Sequence, residues 1–185
     1  MTDKSCGECG MCCKLLAIQA LDKAAGVWCG NFKRGAGCGI YADRPPACRG
    51  FMCLWLDSEK LDDAWRPDRA KFLMYTEKDG KRLNVIVDPS QPGAWTREPY
   101  YRRIKAMSQR ALEGYELVVC IDDRRIVVFP HEDVDLGRVN PDHKLVCGYA
   151  ERDGQMVPYA MILSDLPTGA AETSQAEGSP VPRKA

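Results

Sequence analysis

The middle of the chain alternates short apolar runs with polar turns, and this pattern predicts β-hairpins. Three pairs of apolar runs are each joined by a short turn that contains aspartate, at 72–75 with 83–87, 117–121 with 126–129, and 144–149 with 156–163. Aspartate- and glycine-containing turns between β-branched runs are a strong signal for two antiparallel strands. We therefore predict three hairpins in this region.

One amphipathic helix is predicted between the first two hairpins. Pro99 suits the first helical turn, and Gly114 suits a C-terminal stop. Apolar side chains recur between them at helical spacing, at Tyr100, Ile104, Met107 and Ala111. The basic residues of the segment are interpreted as a solvated face rather than a nucleic-acid contact, at Arg102, Arg103, Lys105 and Arg110.

The chain divides into three regions by composition. Residues 1–56 are rich in cysteine and glycine and have few long apolar runs, whereas 57–165 carry the hairpins and the helix. Residues 166–185 offer almost nothing to bury, and they are interpreted as a disordered tail. The expected fold is α+β, with a small cysteine-rich metal-binding N-terminal module packed on an antiparallel β-hairpin body that has one main helix.

Composition and charge exclude several classes of protein. Of the 185 residues, 45% are hydrophobic and 28% are charged, as in an ordinary globular protein. The 26 basic residues balance the 26 acidic ones, which argues against a nucleic-acid or membrane-surface partner. We expect a metal ion or cluster, and a protein of unknown identity, as partners instead.

The distribution of cysteine departs from this ordinary composition. The chain has ten cysteines, and eight of them lie within the first 53 residues. The N-terminus lacks a basic start followed by a long apolar run, so a cytoplasmic location is expected. In a reducing cytoplasm, clustered cysteines are more often metal ligands or redox groups than disulfides.

The first four cysteines form a Cys-x-x-Cys-x-x-Cys-Cys motif, at Cys6, Cys9, Cys12 and Cys13. Pairs of Cys-x-x-Cys commonly supply the four ligands of zinc, while three cysteines at this spacing also resemble the run that binds a four-iron cluster in bacterial ferredoxins. The match to ferredoxins is partial because Cys13 follows Cys12 directly. We expect the side chains of this adjacent pair to point in different directions.

Four more cysteines follow at wider spacing, at Cys29, Cys38, Cys48 and Cys53, with several glycines beside them. Eight thiolates are enough for two tetrahedral ions, for one four-iron cluster and an ion, or for one cluster with spare thiols. A purely structural zinc knuckle remains an alternative, since small zinc modules often fold in this way.

These residues carry a resemblance to a known family. The eight cysteines in order, together with Ile40-Tyr41, Arg44-Pro45 and Cys48-Arg49-Gly50-Phe51, resemble the YkgJ family of CxxCxxCC cysteine-cluster proteins over about residues 6–53. That family is described as a zinc- or iron-chelating domain. The resemblance implies that all eight cysteines, Cys6 to Cys53, bind metal, but it implies no settled reaction. A flagellin-lysine methylating enzyme associated with an iron–sulfur cluster shares the motif.

Other side chains are weaker candidates. Arg44 and Arg49 can offset the negative charge of clustered thiolates. Ordinary surface charge is the alternative interpretation for Arg44, and it is the preferred interpretation for the nearby lysines. Cys120 lies in an apolar strand pattern and is interpreted as a buried thiol. Cys147 and His143 suit either a metal site or the core, and His131 is placed in an exposed loop after a strand.

Three functions are consistent with these observations. The first is a metal-binding protein that chelates zinc or iron, including an iron–sulfur cluster. The second is an iron–sulfur enzyme of redox or group-transfer type, whose α+β body supplies a substrate cleft. The third is an interaction module whose N-terminus is folded by zinc. The sequence leaves open whether the protein is an enzyme.

Overall fold

The computed structural model describes residues 4–77 and 79–163, and these residues form nine strands and five α-helices. The strands are β1 (Phe32–Lys33), β2 (Gly37–Cys38), β3 (Phe72–Glu77), β4 (Arg82–Val87), β5 (Glu116–Ile121), β6 (Arg124–Val128), β7 (Asp133–Arg138), β8 (Lys144–Arg152) and β9 (Gln155–Leu163). The helices are α1 (Met11–Leu15), α2 (Pro46–Gly50), α3 (Leu54–Asp57), α4 (Pro67–Ala70) and α5 (Tyr100–Ser108). The architecture is therefore mixed α+β, with mostly sheet and one main helix.

All three predicted hairpins are present. Strands β3 and β4, β5 and β6, and β8 and β9 pair in antiparallel register. Asp79, Asp122 and Asp153 adopt positive φ angles of 54°, 54° and 50° in the three turns. Aspartate tolerates this left-handed conformation better than most residues, so it suits these tight hairpin turns.

The body is not an antiparallel hairpin assembly throughout, and in this respect the prediction was wrong. Five strands form one sheet in the order β3-β4-β5-β6-β7, and its central pair, β4 and β5, runs parallel. A parallel pair requires a long crossover connection, and the segment that contains α5 supplies it. Strand β7 was also missed, because its alternation of charged residues with Val134 and Leu136 is a weak signal for a strand.

Helix α5 lies where the apolar spacing predicts it, and a short 3-10 helix (Gln109–Glu113) continues it to Gly114, which has a φ angle of 81°. Ile104 on the predicted apolar stripe is fully buried. The interpretation of Lys105 as solvated was wrong. Its ammonium donates to the carbonyl oxygens of Phe129 and Glu132 and forms an ion pair with Asp133 at 2.6 Å.

Both faces of the five-stranded sheet are covered. One face carries alternate residues of β3 to β6 and packs against the helical segments, with Trp65, Trp95 and Ile104 among the buried residues. On the other face, Leu73 packs against α1, while Val118 and Val127 pack beneath the β8-β9 hairpin. Helix α1 and this hairpin thus cover different parts of the same face of the sheet.

The cysteine-rich segment consists of short elements, and its last residues join the main core through Trp55. Met11 and Leu15 on α1 are buried against Leu73. Next to this contact, the ammonium of Lys14 forms an ion pair with the buried carboxylate of Asp88 at 2.6 Å.

In the ranges that the structure describes, no helix is long and apolar enough to cross a membrane. The predicted disordered tail, 166–185, lies outside the described residues.

Candidate metal centre

Helix α1 carries two of the predicted ligands, Cys12 and Cys13, and begins at an unusual glycine. Gly10 precedes the helix with a φ angle of 59°, and a Cβ atom added to it would lie 2.0 Å from the ring of Phe32. Only glycine avoids both the left-handed strain and this clash. The position therefore fixes α1 and its cysteines against β1.

Cys29 and Cys38 are brought to α1 by backbone hydrogen bonds. The amide of Cys29 donates to the carbonyl oxygen of Cys13 at 2.9 Å, and Cys38 lies on β2 of the small β1-β2 hairpin. At Gly37, with a φ angle of 81°, an added Cβ atom would lie 2.3 Å from the carbonyl oxygen of Gly7. The backbone after Cys6 and the backbone before Cys38 thus approach as closely as glycine permits.

Cys48 and Cys53, the last two predicted ligands along the chain, are positioned by α2 and α3. Pro46 occupies the first position of α2, where its fixed φ angle suits a helix, and Cys48 lies within that helix. Cys53 immediately precedes α3, and its carbonyl oxygen accepts from the amides of Leu56 and Asp57. The polypeptide therefore brings these two cysteines toward α1 through two short helical turns.

Six of the eight predicted cysteines line a single cavity of about 330 Å³, at Cys6, Cys12, Cys13, Cys29, Cys38 and Cys48. Cys9 and Cys53 do not line it, but each lies close enough to Cys12 to interact with it electrostatically. Within the described residues, no three or more cysteine, histidine or acidic side chains are arranged to hold one metal ion. Six thiols thus surround one space.

The rest of the cavity wall is largely apolar. Leu16, Ile18, Ile40 and Phe51 contribute to it, and so does Tyr75 from β3. Burial raises the pKa of the thiols of Cys6, Cys48 and Cys53, and it raises the pKa of Cys9 to about 11. Without a compensating cation, these thiols remain protonated at neutral pH.

The expectation that Cys12 and Cys13 diverge was wrong. Both line the cavity, and their sulfurs share a hydrogen bond in which the Cys12 thiol donates to Cys13. This hydrogen bond, together with burial, raises the pKa of Cys12, and it lowers the pKa of Cys13 because it stabilises the Cys13 thiolate. The adjacent pair therefore presents two sulfurs to the same space.

Lys23 is a buried cation beside the cavity, although sequence reasoning treated it as surface charge. It is 8% exposed, and its ammonium donates to the carbonyl oxygens of Lys14 and Leu16 at the end of α1. Burial lowers its pKa, while the thiolates of Cys29 and Cys13 act in the opposite direction. No carboxylate of the described residues forms an ion pair with Lys23, so its anionic neighbours are cysteines.

Arg44 lies at the edge of the same cavity. Its guanidinium stacks 3.8 Å from the ring centroid of Tyr41, and its Nε donates to the Tyr41 carbonyl oxygen at 3.0 Å. Arg44 acts to lower the pKa of both Cys6 and Cys48, against the larger effect of burial. Its position fits the role of offsetting thiolate charge.

The other candidate residues lie away from the cysteine cavity. Cys120 on β5 and Cys147 on β8 pack around the cluster that includes Val118 and Val127. His131 lies in an exposed bend after β6, as the sequence predicts, and His143 precedes β8. None of these four lines the cysteine cavity.

Comparison of the chain with protein families, with curated proteins and with solved structures finds no match. The resemblance to the cysteine-cluster family therefore stays a prediction.

Proposed function

We propose that this protein binds zinc or iron through its cysteine cluster, as its resemblance to the YkgJ family implies, and that its site is built for a polynuclear iron–sulfur cluster. The observation that carries the proposal is the single cavity lined by six cysteines. The proposed ligands are Cys6, Cys9, Cys12, Cys13, Cys29, Cys38, Cys48 and Cys53. The six that line the cavity are proposed to contact the metal directly. The family assignment is part of the same proposal.

The size of the cysteine cavity favours a cluster over a single zinc ion. Zinc–sulfur bonds of about 2.3 Å place four tetrahedral sulfurs about 3.5–4 Å apart, whereas the cysteine sulfurs around a four-iron cluster are spread over about 6–7 Å. The space among the six lining cysteines is about 330 Å³. That volume is far larger than one ion and suits a group with several metal atoms.

The charges around the cavity also support an anionic occupant. A thiolate-ligated cluster is negative, and both Lys23 and Arg44 lie beside the cysteines. Burying an ammonium such as that of Lys23 without an anion is unfavourable. A cluster in the cavity supplies the missing negative charge, which explains why the folded chain tolerates this lysine.

The chain has distinct roles around such a group. When bound, an iron–sulfur cluster supplies electron transfer or a Lewis-acidic iron. The cysteines hold it, Leu16, Ile40 and Phe51 exclude water, and Lys23 and Arg44 offset its charge. These roles are the same whether the protein stores, transfers or uses the metal.

An iron–sulfur enzyme remains the second candidate function, and one observation favours it. A further cavity lies on the same face of the sheet and shares Leu16, Ala17 and Tyr75 with the cysteine cavity. An enzyme requires such a substrate space beside its cofactor. A zinc-folded interaction module has no comparable support, because the cysteines enclose more space than a structural ion fills.

Two matched variants test the ligand assignment. Cys48→Ser is expected to lose most of the bound metal, whereas Cys120→Ser, a change of the same type on β5, is expected to retain it. Metal content per chain is measured on both proteins after anaerobic purification. Full metal content in the Cys48→Ser protein would count against the cavity as the metal site.

A further inference from the structure

A second cavity of about 360 Å³ lies over the five-stranded sheet, between the cysteine segment and the β8-β9 hairpin. Its floor is the central part of the sheet, including Asn84 and Ile86 of β4 and Val118 of β5. Leu15 contributes from the side of α1, and Leu145 contributes from the side of the hairpin. The space is thus enclosed by elements that cover the same face of the sheet.

Asn84 places an unsatisfied hydrogen-bond donor in this cavity. The residue is only 5% exposed, and its side-chain Nδ2 has no hydrogen-bond partner among the described residues. Its neighbours on the same face of the sheet, Tyr75 on β3 and Val118 on β5, stand directly opposite it in register. Buried amide groups almost always have a partner, so an unsatisfied one that lines a cavity indicates an acceptor supplied from outside the chain.

Arg125 adds a positive charge to the same cavity. Its guanidinium donates to the backbone carbonyl oxygens of Asp122 and Arg124, at 2.7 and 3.0 Å. In the part of the chain described by the structure, it forms no ion pair with a carboxylate, unlike Arg82, which pairs with Glu77 and Glu116. Among the described residues, Arg125 is therefore the arginine of this cavity that has no carboxylate partner.

We propose that this cavity binds a small organic acid, with its carboxylate toward Arg125 and a second acceptor oxygen toward Asn84. The apolar part of the molecule would rest on Ile86, Val118 and Leu145. Arg125 lies opposite Cys120 in the β5-β6 register, and Asn84 lies opposite Val118 in the β4-β5 register. The two polar groups thus stand two strands apart and are offset by two residues along β5, so the ligand must present two oxygens separated by a carbon chain.

The remaining titratable groups of the cavity are compatible with an anion. Glu77 lies 3.6 Å from a guanidinium nitrogen of Arg82, which also pairs with Glu116, so Arg82 offsets part of the charge of Glu77. Burial raises the pKa of Cys120, which keeps this thiol neutral at physiological pH. Asp122 lies on the exposed turn, and His143 lies at the rim before β8.

Three small probes of matched length test this proposal on the full-length protein as purified. They are 4-oxopentanoate, which has both oxygens, pentanoate, which lacks the carbonyl oxygen, and pentan-2-one, which lacks the carboxylate. Binding is followed in NMR spectra by the chemical shifts of the backbone amides of Ile86 and Val118, which line the cavity and are unchanged in every variant. We expect 4-oxopentanoate to bind about tenfold more tightly than either of the others, the difference that one hydrogen bond or ionic contact provides.

Variants assign the two contacts. Arg125→Gln should reduce the affinity for 4-oxopentanoate about tenfold, and Asn84→Leu should abolish the preference for it over pentanoate. Arg124→Gln is the matched control, because Arg124 pairs with Asp135 on the exposed surface and does not line the cavity. Since Arg125 is only half-buried, its variant remains informative even if Asn84→Leu alters the fold.

Three results would overturn the proposal. They are equal affinity for all three probes, unchanged affinity in Arg125→Gln, and no saturable shift up to about 50 mM probe, a concentration at which even fragment-sized ligands bind. The proposal does not rest on the metal. Metal content measured on the same samples separates its failure from that of the cysteine site.

Discussion

Replacing Lys14 by methionine should weaken the attachment of the cysteine segment to the body. The Lys14 ammonium lies 2.8 and 2.6 Å from the two carboxylate oxygens of Asp88, and the side chains are 18% and 7% exposed. Lys14→Met leaves the Asp88 carboxylate buried with hydrogen bonds from Ser90 alone. Breaking one partner of a buried ion pair costs about 3–5 kcal/mol.

The expected loss is smaller than this and reaches only the lower limit of the range. Lys14 is partly accessible to water, and the amide and hydroxyl of Ser90 continue to donate to Asp88. We therefore expect a decrease of about 2–3 kcal/mol in the free energy of unfolding. Urea denaturation at equal metal content measures it, and Lys33→Met, a change at an exposed lysine of the same segment, should remain within about 0.5 kcal/mol of the parent protein.

The same comparison has a predicted pH dependence. Burial alone would raise the pKa of Asp88, but hydrogen bonds from Lys14 and Ser90 outweigh it and lower the pKa below its ordinary value of 3.8. A carboxyl with a depressed pKa stabilises the fold fully above its unfolded pKa, and this stabilisation is lost as the pH falls through its folded pKa. The difference between parent and Lys14→Met should thus be constant near neutral pH and shrink below about pH 4. A loss under about 1 kcal/mol at neutral pH would refute the anchoring role of this ion pair.

Three further predictions follow from the fold and the two cavities. Chelation of the metal should accelerate amide hydrogen exchange in 6–53 and leave exchange in 72–163 unchanged, because the cysteine segment has few apolar anchors. Exchange in 6–53 that stays as slow after chelation as before would contradict this. Gly37→Ala should lower the free energy of unfolding by at least about 2 kcal/mol in urea denaturation, since its Cβ atom would lie 2.3 Å from a backbone oxygen. Gly35→Ala is the control: it has a similar positive φ angle but open space around the Cβ atom, and it should lower the free energy of unfolding by only about 1 kcal/mol. Asn84→Leu should stabilise the ligand-free protein by about 1 kcal/mol in the same assay, because it removes a buried unsatisfied donor, and a large destabilisation would argue that Asn84 is structural.

The hairpins and the main helix were predictable because their signals are local. Asp122 and the other turn aspartates adopt the left-handed conformation that their sequence context indicates. Ile104 and its neighbours bury the stripe that their spacing defines. The parallel pairing of β4 with β5 depends on where the chain returns after α5, which no short segment determines.

The candidate sites also combine features that the sequence predicts with features that depend on the tertiary structure. The cysteine motif was visible in the sequence, but the shared orientation of Cys12 and Cys13 depends on the tertiary setting of α1. Lys23 was missed because a lysine buried beside thiols looks like any other lysine in the sequence. Asn84 carried no signal either, since a single polar residue in a strand is ordinarily on the solvent face.

Anaerobic purification followed by metal and acid-labile sulfide analysis tests the central claim most directly. An iron–sulfur cluster predicts a brown protein that absorbs broadly near about 400 nm and contains iron and sulfide in nearly equal amounts. A colourless protein that binds zinc without sulfide would contradict the cluster while retaining the metal site. A protein that binds neither iron nor zinc under these conditions would contradict the proposed function altogether.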